Sequence, residues 1–298
     1  MKTKTYSSSI IFLLLAASFV AFFGTPAFAD GAGNCLDFDG VDDYVDCGSG
    51  SSLDFTGSVT VEAWIKPGPH SNYERIFATH NNFDSPYCLT RGDNTNSIAF
   101  AWRGYERQTP ANAITPGVWN HVVAIFDTTN NAITIYINGV EQSLESITDF
   151  GFSGTTVWIG GKQNNSRFFN GRIDEVRVWK ELRSETEIRQ NMYRELSGSE
   201  SNLKGYWRFN ETSGTTLDDA TSYNNDGTLH NMSSNDWVTS GAFAGPRNAL
   251  DFDGSNDYVD VGNGISPTSQ ITLEAWIYKS ATSSKPCIYG FGDDVQSF

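Results

Sequence analysis

Short segments in which hydrophobic and polar residues alternate recur along most of the chain. The segment VTVEAWIK (Val59–Lys66) places every second side chain on an apolar face, which predicts a strand with one side on a core. NAITIYINGV (Asn131–Val140) alternates in the same way and ends in Asn138–Gly139, a dipeptide typical of β-hairpins because both residues tolerate positive φ. The segments VWNHVVAIF, TVWIGG and RIDEVRVW predict further strands.

One segment has a helical pattern instead. Ser184 and Glu187 have the spacing of a capping box, and Ile188, Met192 and Leu196 follow at intervals of four residues. This predicts one short helix after the last of these strands. Many short strands with a single helix predict an all-β protein, folded as a two-sheet sandwich of the jelly-roll kind.

The chain also repeats itself. LDFDGVDDYVD (Leu36–Asp46) returns as LDFDGSNDYVD (Leu250–Asp260), and VTVEAWIK returns as ITLEAWIY (Ile271–Tyr278). The offset is 214 residues at the first match and 212 at the second, which a two-residue difference in one loop explains. A period of this length indicates a repeated domain, so we expect tandem copies of one module.

These repeats suggest where the domains begin and end. We predict a signal peptide over residues 1–29, a first module over 30–196, a linker over 197–202 and a second, truncated module over 203–298. The second module is placed at Leu203 because LKGYWRF (Leu203–Phe209) and NNDGTLHN (Asn224–Asn231) have the pattern of opening strands. The first module then lacks a segment of this kind at its own beginning.

The N-terminus predicts secretion. Lys2 and Lys4 precede an apolar run over Ile10–Phe23, and Ala27-Phe28-Ala29 offers small residues for cleavage after Ala29. The run is short for a membrane span, and no other segment approaches the roughly 20 apolar residues that a span needs. We therefore expect a secreted, extracellular protein without a membrane span, with a retained N-terminal anchor as the alternative.

The net charge narrows the range of partners. The chain carries a formal charge of −15, and removal of residues 1–29, which contain two Lys and no acidic residue, would make it −17. An acidic chain whose Lys and Arg residues form no run is repelled by nucleic acid and by anionic lipid. We expect neither as a partner.

The order of motifs resembles a known family. FDG–DDYVD is followed by VEAWIK, GVWNHVVAIFD, IYINGV, IGG and finally FNGRIDEVRVW. This series resembles the laminin-G-like jelly-roll modules of the concanavalin A-like lectin/glucanase superfamily, of the kind found in tandem in bacterial secreted proteins. The resemblance implies a jelly-roll module with a structural calcium ion. It also implies a glycan, or a cell-surface or extracellular protein, as the partner.

The resemblance also implies calcium ligands where the first and last strands lie side by side. These would be Asp39, the Gly40 carbonyl and Asp174. Strand alternation separately predicts that Asp174 shares the core-facing side with Val176, where an unpaired carboxylate is costly and would seek a cation. The alternative is that Asp39 only shapes its turn, while Asp174 pairs with Arg172 or with a backbone N–H. We read Asp42, Asp43 and Asp46 as solvated turn residues.

Two cysteines are spaced for a disulfide. If Leu36–Asp46 forms a hairpin, Cys35 lies opposite Cys47, within disulfide reach. Both cysteines are absent together from the second copy, where the same positions hold Ala249 and Val261. We therefore predict a Cys35–Cys47 bridge. The remaining two cysteines, Cys88 and Cys287, have no predicted partner.

Catalysis is not expected. Glucanases of the superfamily carry an E-x-D-x-x-E or E-x-D-x-E run, whose acids share one face of a strand, and this sequence has no such run. His121 is a lone histidine without a nucleophile motif, so we predict no catalytic residues.

The best candidate for ligand binding is an aromatic and charged stretch. Trp102, Arg103 and Tyr105 would let rings stack on sugar faces while Arg103 bonds to hydroxyls, although Trp102 could instead fill the core. Two functions remain open. One is carbohydrate binding with a structural calcium ion, and the other is a structural or adhesive repeat of a larger secreted or cell-surface protein.

Overall fold

The structure, a computed structural model, describes residues 33–54, 57–69, 73–80, 88–93, 95–102, 105–142, 156–161, 167–242 and 259. Its strands form two antiparallel sheets, as the alternating pattern predicts. The strands are β1 Asn34–Asp39, β2 Tyr44–Asp46, β3 Val59–Pro67, β4 Arg75–His80, β5 Cys88–Arg91, β6 Ile98–Trp102, β7 Tyr105–Gln108, β8 Asn120–Asp127, β9 Ala132–Ile137, β10 Val140–Gln142, β11 Thr156–Ile159, β12 Asn170–Trp179, β13 Leu203–Trp207, β14 Thr216–Leu217, β15 Gly227–His230 and β16 Trp237–Thr239.

The two sheets are layers of a jelly-roll sandwich. The first sheet has the order β10-β9-β8-β3-β12-β1-β16, with β13 also paired to β12, and the second has the order β14-β15-β2-β11-β4-β5-β6-β7. Between them lies one hydrophobic core that includes the alternating residues of β3 and β9. Asn138 and Gly139 both have positive φ, so the predicted hairpin between β9 and β10 is confirmed.

The predicted helix is also present. Helix α1 covers Glu185–Asn191, and Ser184 and Glu187 form the capping box that the sequence predicts. The helix is shorter than its hydrophobic spacing suggested, because Leu196 lies beyond its end and packs with Trp179 and Tyr206 instead. No helix within the described ranges is long and apolar enough to cross a membrane.

The segment from Leu203 to Thr239 pairs with both sheets of the first module. β13 pairs with the second half of β12, β16 pairs with β1, and β15 pairs with β2. The predicted boundary at 197–202 therefore does not separate two sets of strands. The segment instead pairs with the sheet edges that β1 and β2 would otherwise leave open. We call residues 203–239 the closing segment. Most of the predicted second module (243–258 and 260–298), like residues 1–32, lies outside the described residues.

The predicted Cys35–Cys47 disulfide is wrong. Residues 40–43 carry the chain from one sheet to the other, so β1 and β2 do not form a hairpin. The Cys35 thiol is directed to the carbonyl oxygen of Val238, whereas Cys47 belongs to the main core. Both thiols are free and buried, and burial raises the pKa of Cys35 to about 12. Cys88 is buried as well.

Candidate binding sites

Asp39 shapes the turn that follows β1. One carboxylate oxygen accepts hydrogen bonds from the backbone N–H groups of Val41 (2.7 Å) and Asp42 (3.4 Å). Gly40 has φ +77°, and a Cβ atom there would lie 2.8 Å from the Cβ of Asn170, so this turn favours glycine. The alternative in which Asp39 organises the Asp-Gly turn therefore agrees with the geometry.

Asp43 is not a solvated turn residue. It is only 4% exposed, and its carboxylate accepts a hydrogen bond from the backbone N–H of Asp39 at 2.9 Å. Burial is the main reason that the pKa of Asp43 is raised to about 6, and the neighbouring acids raise it further. Carboxylate oxygens of Asp39, Asp42 and Asp43 lie within 4.8 Å of one another, so these three side chains can converge on one cation.

Asp174 lies on the outer side of the first sheet. The register between β12 and β3 shifts between Asp174 and Arg177, and Glu175 has φ +52°. This bulge places Ile173 and Val176 in the main core and turns the two intervening acids away from it. The alternation that predicted a core-facing Asp174 fails because of this extra residue.

Asp174 is nevertheless buried. The Ser240 hydroxyl donates to one oxygen of its carboxylate, and the other oxygen is buried without a hydrogen-bond partner among the described residues. Burial first, and then the adjacent Glu175 carboxylate, hold the pKa of Asp174 well above its usual range. Arg172, the predicted alternative partner, instead pairs with Asp37 at 3.2 Å.

The structure does not bring Asp39 and Asp174 together. Asp39 pairs with Asn170 and Leu36 pairs with Ile173, so Asp39 and Asp174 are separated by four positions along β12. At about 3.3 Å per residue, the separation is roughly 13 Å, which is too far for one ion to bind both.

A buried polar cluster covers the outer side of the first sheet. Arg177 donates to Glu175 (2.8 Å) and to the backbone carbonyls of Asn191 (3.0 Å) and Arg194 (2.7 Å). Glu62 lies 3.2 Å from His121 and 3.9 Å from Arg177. These side chains are almost fully buried beneath α1 and the residues after it. We call residues 185–194, which comprise α1 and the residues after it, the strap. Arg177 therefore ties the strap to the first sheet.

An aromatic layer lies on the second sheet, apart from the main core. Tyr44, Trp158 and Phe168 form a separate cluster, and the His230 ring stacks on Tyr44 with a centroid distance of 4.5 Å and an interplanar angle of 6°. We call these four residues the aromatic patch. The three larger rings are mostly buried and His230 is half-buried, so the imidazole is the most accessible ring.

The predicted ligand stretch is described in its backbone alone. Trp102 and Tyr105 are register partners at the end of the β6–β7 hairpin, and Arg103 lies outside the described residues. The aromatic patch was not predicted, because its members come from β2, β11, β15 and the loop before β12. Only the closing segment brings His230 to Tyr44.

The family model described as concanavalin A-like lectin/glucanases superfamily matches residues 39–189, about half of the chain. No curated protein matches the sequence. Among solved structures, a candidate carbohydrate-binding protein from Bacteroides ovatus is 24% identical, with a TM-score of 0.55. The alignment covers 67% of this chain and 58% of the Bacteroides protein, so the chain spans less than two thirds of that relative. This likeness supports the fold.

Two further structures are more distantly similar. A heptameric SAP-like pentraxin from Limulus polyphemus is 18% identical, with a TM-score of 0.44, and 53% of this chain and 81% of that chain are covered. The CBM40 module of the Ruminococcus gnavus IT-sialidase, bound to α2,3-sialyllactose, is 16% identical, with a TM-score of 0.42. Here 52% of this chain and 96% of that chain are covered.

Proposed function

Because the chain belongs to the concanavalin A-like lectin/glucanases superfamily, we propose that it is a secreted, non-catalytic module that binds carbohydrate. The lectin-like sandwich and the similarity of its fold to a candidate carbohydrate-binding protein support this proposal. The observation that carries it is the aromatic patch, a layer of rings on the second sheet that takes no part in the main core.

His230 is the ring of the aromatic patch that a sugar can reach, because Tyr44, Trp158 and Phe168 are only 6–8% exposed. Aromatic rings stack on the apolar face of a sugar, while nearby polar groups bond to its hydroxyls. Half-buried Asp46 and exposed Thr228 are paired on β2 and β15, next to the Tyr44–His230 pair. A sugar ring placed on His230 would therefore find an acceptor and a hydroxyl beside it.

The adjacent buried acids Asp174 and Glu175 do not form a hydrolytic pair. Hydrolysis of a glycosidic bond requires two carboxyl groups on either side of an accessible bond. Asp174 and Glu175 are adjacent, but both are buried, and Glu175 is occupied by Arg177 and Tyr206. This arrangement favours binding over catalysis.

We retain structural calcium as part of the proposal, with a revised ligand set. Asp39, Asp42 and Asp43 offer three carboxylates at one turn, and hard cations prefer such oxygen ligands. Burial is the main cause of the raised pKa of Asp43, and a cation there would offset the additional repulsion from the neighbouring carboxylates. It would act by holding the β1–β2 connection, without a chemical step.

Glycan-array binding by the full chain tests the proposed function. Binding to a defined set of glycans that falls at least about tenfold in His230→Ala supports it, because tenfold corresponds to one lost stacking contact. A folded protein that binds no glycan would favour the structural or adhesive repeat instead.

A further inference from the structure

The closing segment docks on a defined part of the first copy of the repeat, residues 34–52, which we call the first acceptor. In the ladder between β1 and β16, Leu36 is paired with Trp237, and in the ladder between β2 and β15, Val45 is paired with Leu229. Both Trp237 and Leu229 lie in the main core. The docking therefore combines antiparallel main-chain pairing with two apolar anchors.

The second copy of the repeat carries the same acceptor residues. Residues 248–266, which we call the second acceptor, align with the first acceptor at an offset of 214 without a gap. Of the six acceptor residues that are paired with β15 or β16, Cys35 alone is changed, to Ala249. The other five recur as Asn248, Leu250, Tyr258, Val259 and Asp260.

Two contacts outside the strands point to the same docked segment. A Cβ atom at Gly50 would lie 2.1 Å from the Asn225 amide oxygen of the closing segment, so this approach requires glycine. The second acceptor has Gly264 at the equivalent position. Ser52, whose hydroxyl donates to the same Asn225 oxygen at 3.1 Å, recurs as Ser266. The second acceptor therefore also has the small residues that admit a closing segment.

The one described residue of the second acceptor, Val259, is uncovered. Val259 is 55% exposed, whereas its counterpart Val45 is fully buried in the main core. On the first acceptor the closing segment approaches this side chain so closely that a Cβ atom at Gly227 would lie 2.5 Å from Val45 Cγ1. Covering Val259 in the same way would remove apolar surface from water, and a partner can reach this side chain from solvent.

The closing segment of the chain itself is engaged elsewhere. Its strand β13 pairs with Val176–Trp179 of β12, and its residues Trp207, Phe209 and Leu217 lie in the main core. Transfer to the second acceptor would give up these contacts. The sequence contains LKGYWRF once and FNGRIDEVRVW once, so a single closing segment stands against two acceptors. A partner for the second acceptor must therefore come from another molecule.

We propose that the second acceptor binds an extended segment of another protein chain, of the same pattern as β15 and β16. This pattern has a glycine two residues before a leucine and a tryptophan eight residues after it, as in Gly227, Leu229 and Trp237. Main-chain hydrogen bonds would supply affinity, and the two apolar anchors would supply selectivity. The proposal adds a protein partner to the proposed function and does not depend on carbohydrate binding.

A labelled synthetic peptide of residues 225–240, titrated with the full chain and followed by fluorescence anisotropy, tests this site. We expect saturable binding that Val259→Asp weakens about tenfold or more, because a carboxylate would replace the apolar contact. Val140→Asp, at a valine on β10 that is 54% exposed, is the matched control and should leave binding unchanged. A peptide with Leu229→Ser and Trp237→Ser should not bind, and this result does not depend on how a variant chain folds.

The register gives a second measurement. Cys35 lies opposite Val238, and Ala249 is the counterpart of Cys35. Under oxidising conditions, a peptide with Val238→Cys should therefore form a mixed disulfide with the Ala249→Cys chain, which peptide mapping identifies. The Asn248→Cys chain should not form this bridge, because successive side chains of a strand point to opposite faces.

Four outcomes would overturn the proposal. Two are the absence of saturable binding and binding that Val259→Asp leaves unchanged. The third is a disulfide between the peptide and Cys35, since the peptide would then have replaced the closing segment on the first acceptor. The fourth is a bridge within one Val238→Cys/Ala249→Cys chain, which would assign the second acceptor to the closing segment of the same chain.

Discussion

Cys35 lies directly opposite Val238 in the ladder between β1 and β16, and its thiol is 3.5 Å from the Val238 carbonyl oxygen. The two residues belong to the start of the module and to the end of the closing segment. Their contact therefore joins the two ends of one sandwich. The sequence pattern had instead assigned the two residues to different modules.

The substitution Val238→Cys tests this pairing. Directly opposed residues in an antiparallel ladder have Cα atoms about 4.5–5.5 Å apart, within disulfide range, so we expect Cys35 to form a bridge with the introduced cysteine under oxidising conditions. Peptide mapping without reductant identifies the bridge, and the melting temperature should rise in the oxidised protein because the bridge closes a long loop. Thr239→Cys, which lies opposite Asn34, is the matched control.

Failure of Val238→Cys to bridge to Cys35 in a folded protein would contradict the register. It would instead favour the division at 197–202, with the closing segment paired to the second copy of the repeat.

The sequence predicts local features of this fold better than distant ones. The β9–β10 hairpin and the Ser184 capping box depend on residues close together in the chain, and both were predicted correctly. The Asp174 bulge depends on a positive φ at Glu175, a residue type that gives no signal of it. The Cys35–Cys47 prediction fails because Gly40 begins a crossing between sheets, and a hairpin turn has the same kind of residues.

The candidate sites were less predictable for a similar reason. The acidic turn is contiguous in sequence, yet the burial of Asp43 depends on packing that alternation does not describe. The stacking of His230 on Tyr44 requires β15 to pair with β2, almost two hundred residues earlier in the chain. The sequence pattern assigned β15 to another module, so this contact could not be predicted.

Removal of Arg177 should loosen the strap over the first sheet. Arg177→Ala leaves the Glu175 carboxylate buried and takes the donor from two backbone carbonyls, so we expect a loss of about 3–5 kcal/mol in the free energy of unfolding. Arg172→Ala, on the same strand, breaks a partly exposed pair with Asp37 and should cost less than about 1 kcal/mol. Denaturant titration measures both, and equal losses would argue against the buried tie.

The buried Asp174 carboxyl predicts a pH dependence of stability. Its pKa is higher in the folded protein than in the unfolded chain, so the ionised form is penalised at high pH, and the penalty disappears as the pH falls below the unfolded value of about 3.9. Asp174→Asn removes this penalty. The stability of the variant relative to the native protein should therefore be greatest near pH 8 and decline toward pH 4.

The expected size of this change is on the order of 1.4 kcal/mol for each pH unit between the two pKa values. Urea titrations at several pH values measure it, with Asp37→Asn on the neighbouring strand as an exposed control. A relative stability that rises toward pH 4 would show that the ionised Asp174 is stabilised in the fold.

Calcium should stabilise the protein through the acidic turn. We expect a chelator to lower the melting temperature and added Ca²⁺ to restore it, because a bound ion stabilises the folded state by mass action. Asp43→Asn should abolish this response, whereas Asp174→Asn should keep it, since Asp174 lies far along β12 from Asp39. The reverse pattern would return the ion to Asp174, and no response in the native protein would remove calcium from the proposal.

Carbohydrate binding is most directly tested by a glycan array probed with the full chain and, in parallel, with His230→Ala. The aromatic patch predicts selective binding by the native protein and a loss of about tenfold or more in the variant, whose fold is checked by its melting temperature. Absence of glycan binding by the folded native protein would contradict carbohydrate binding as its function.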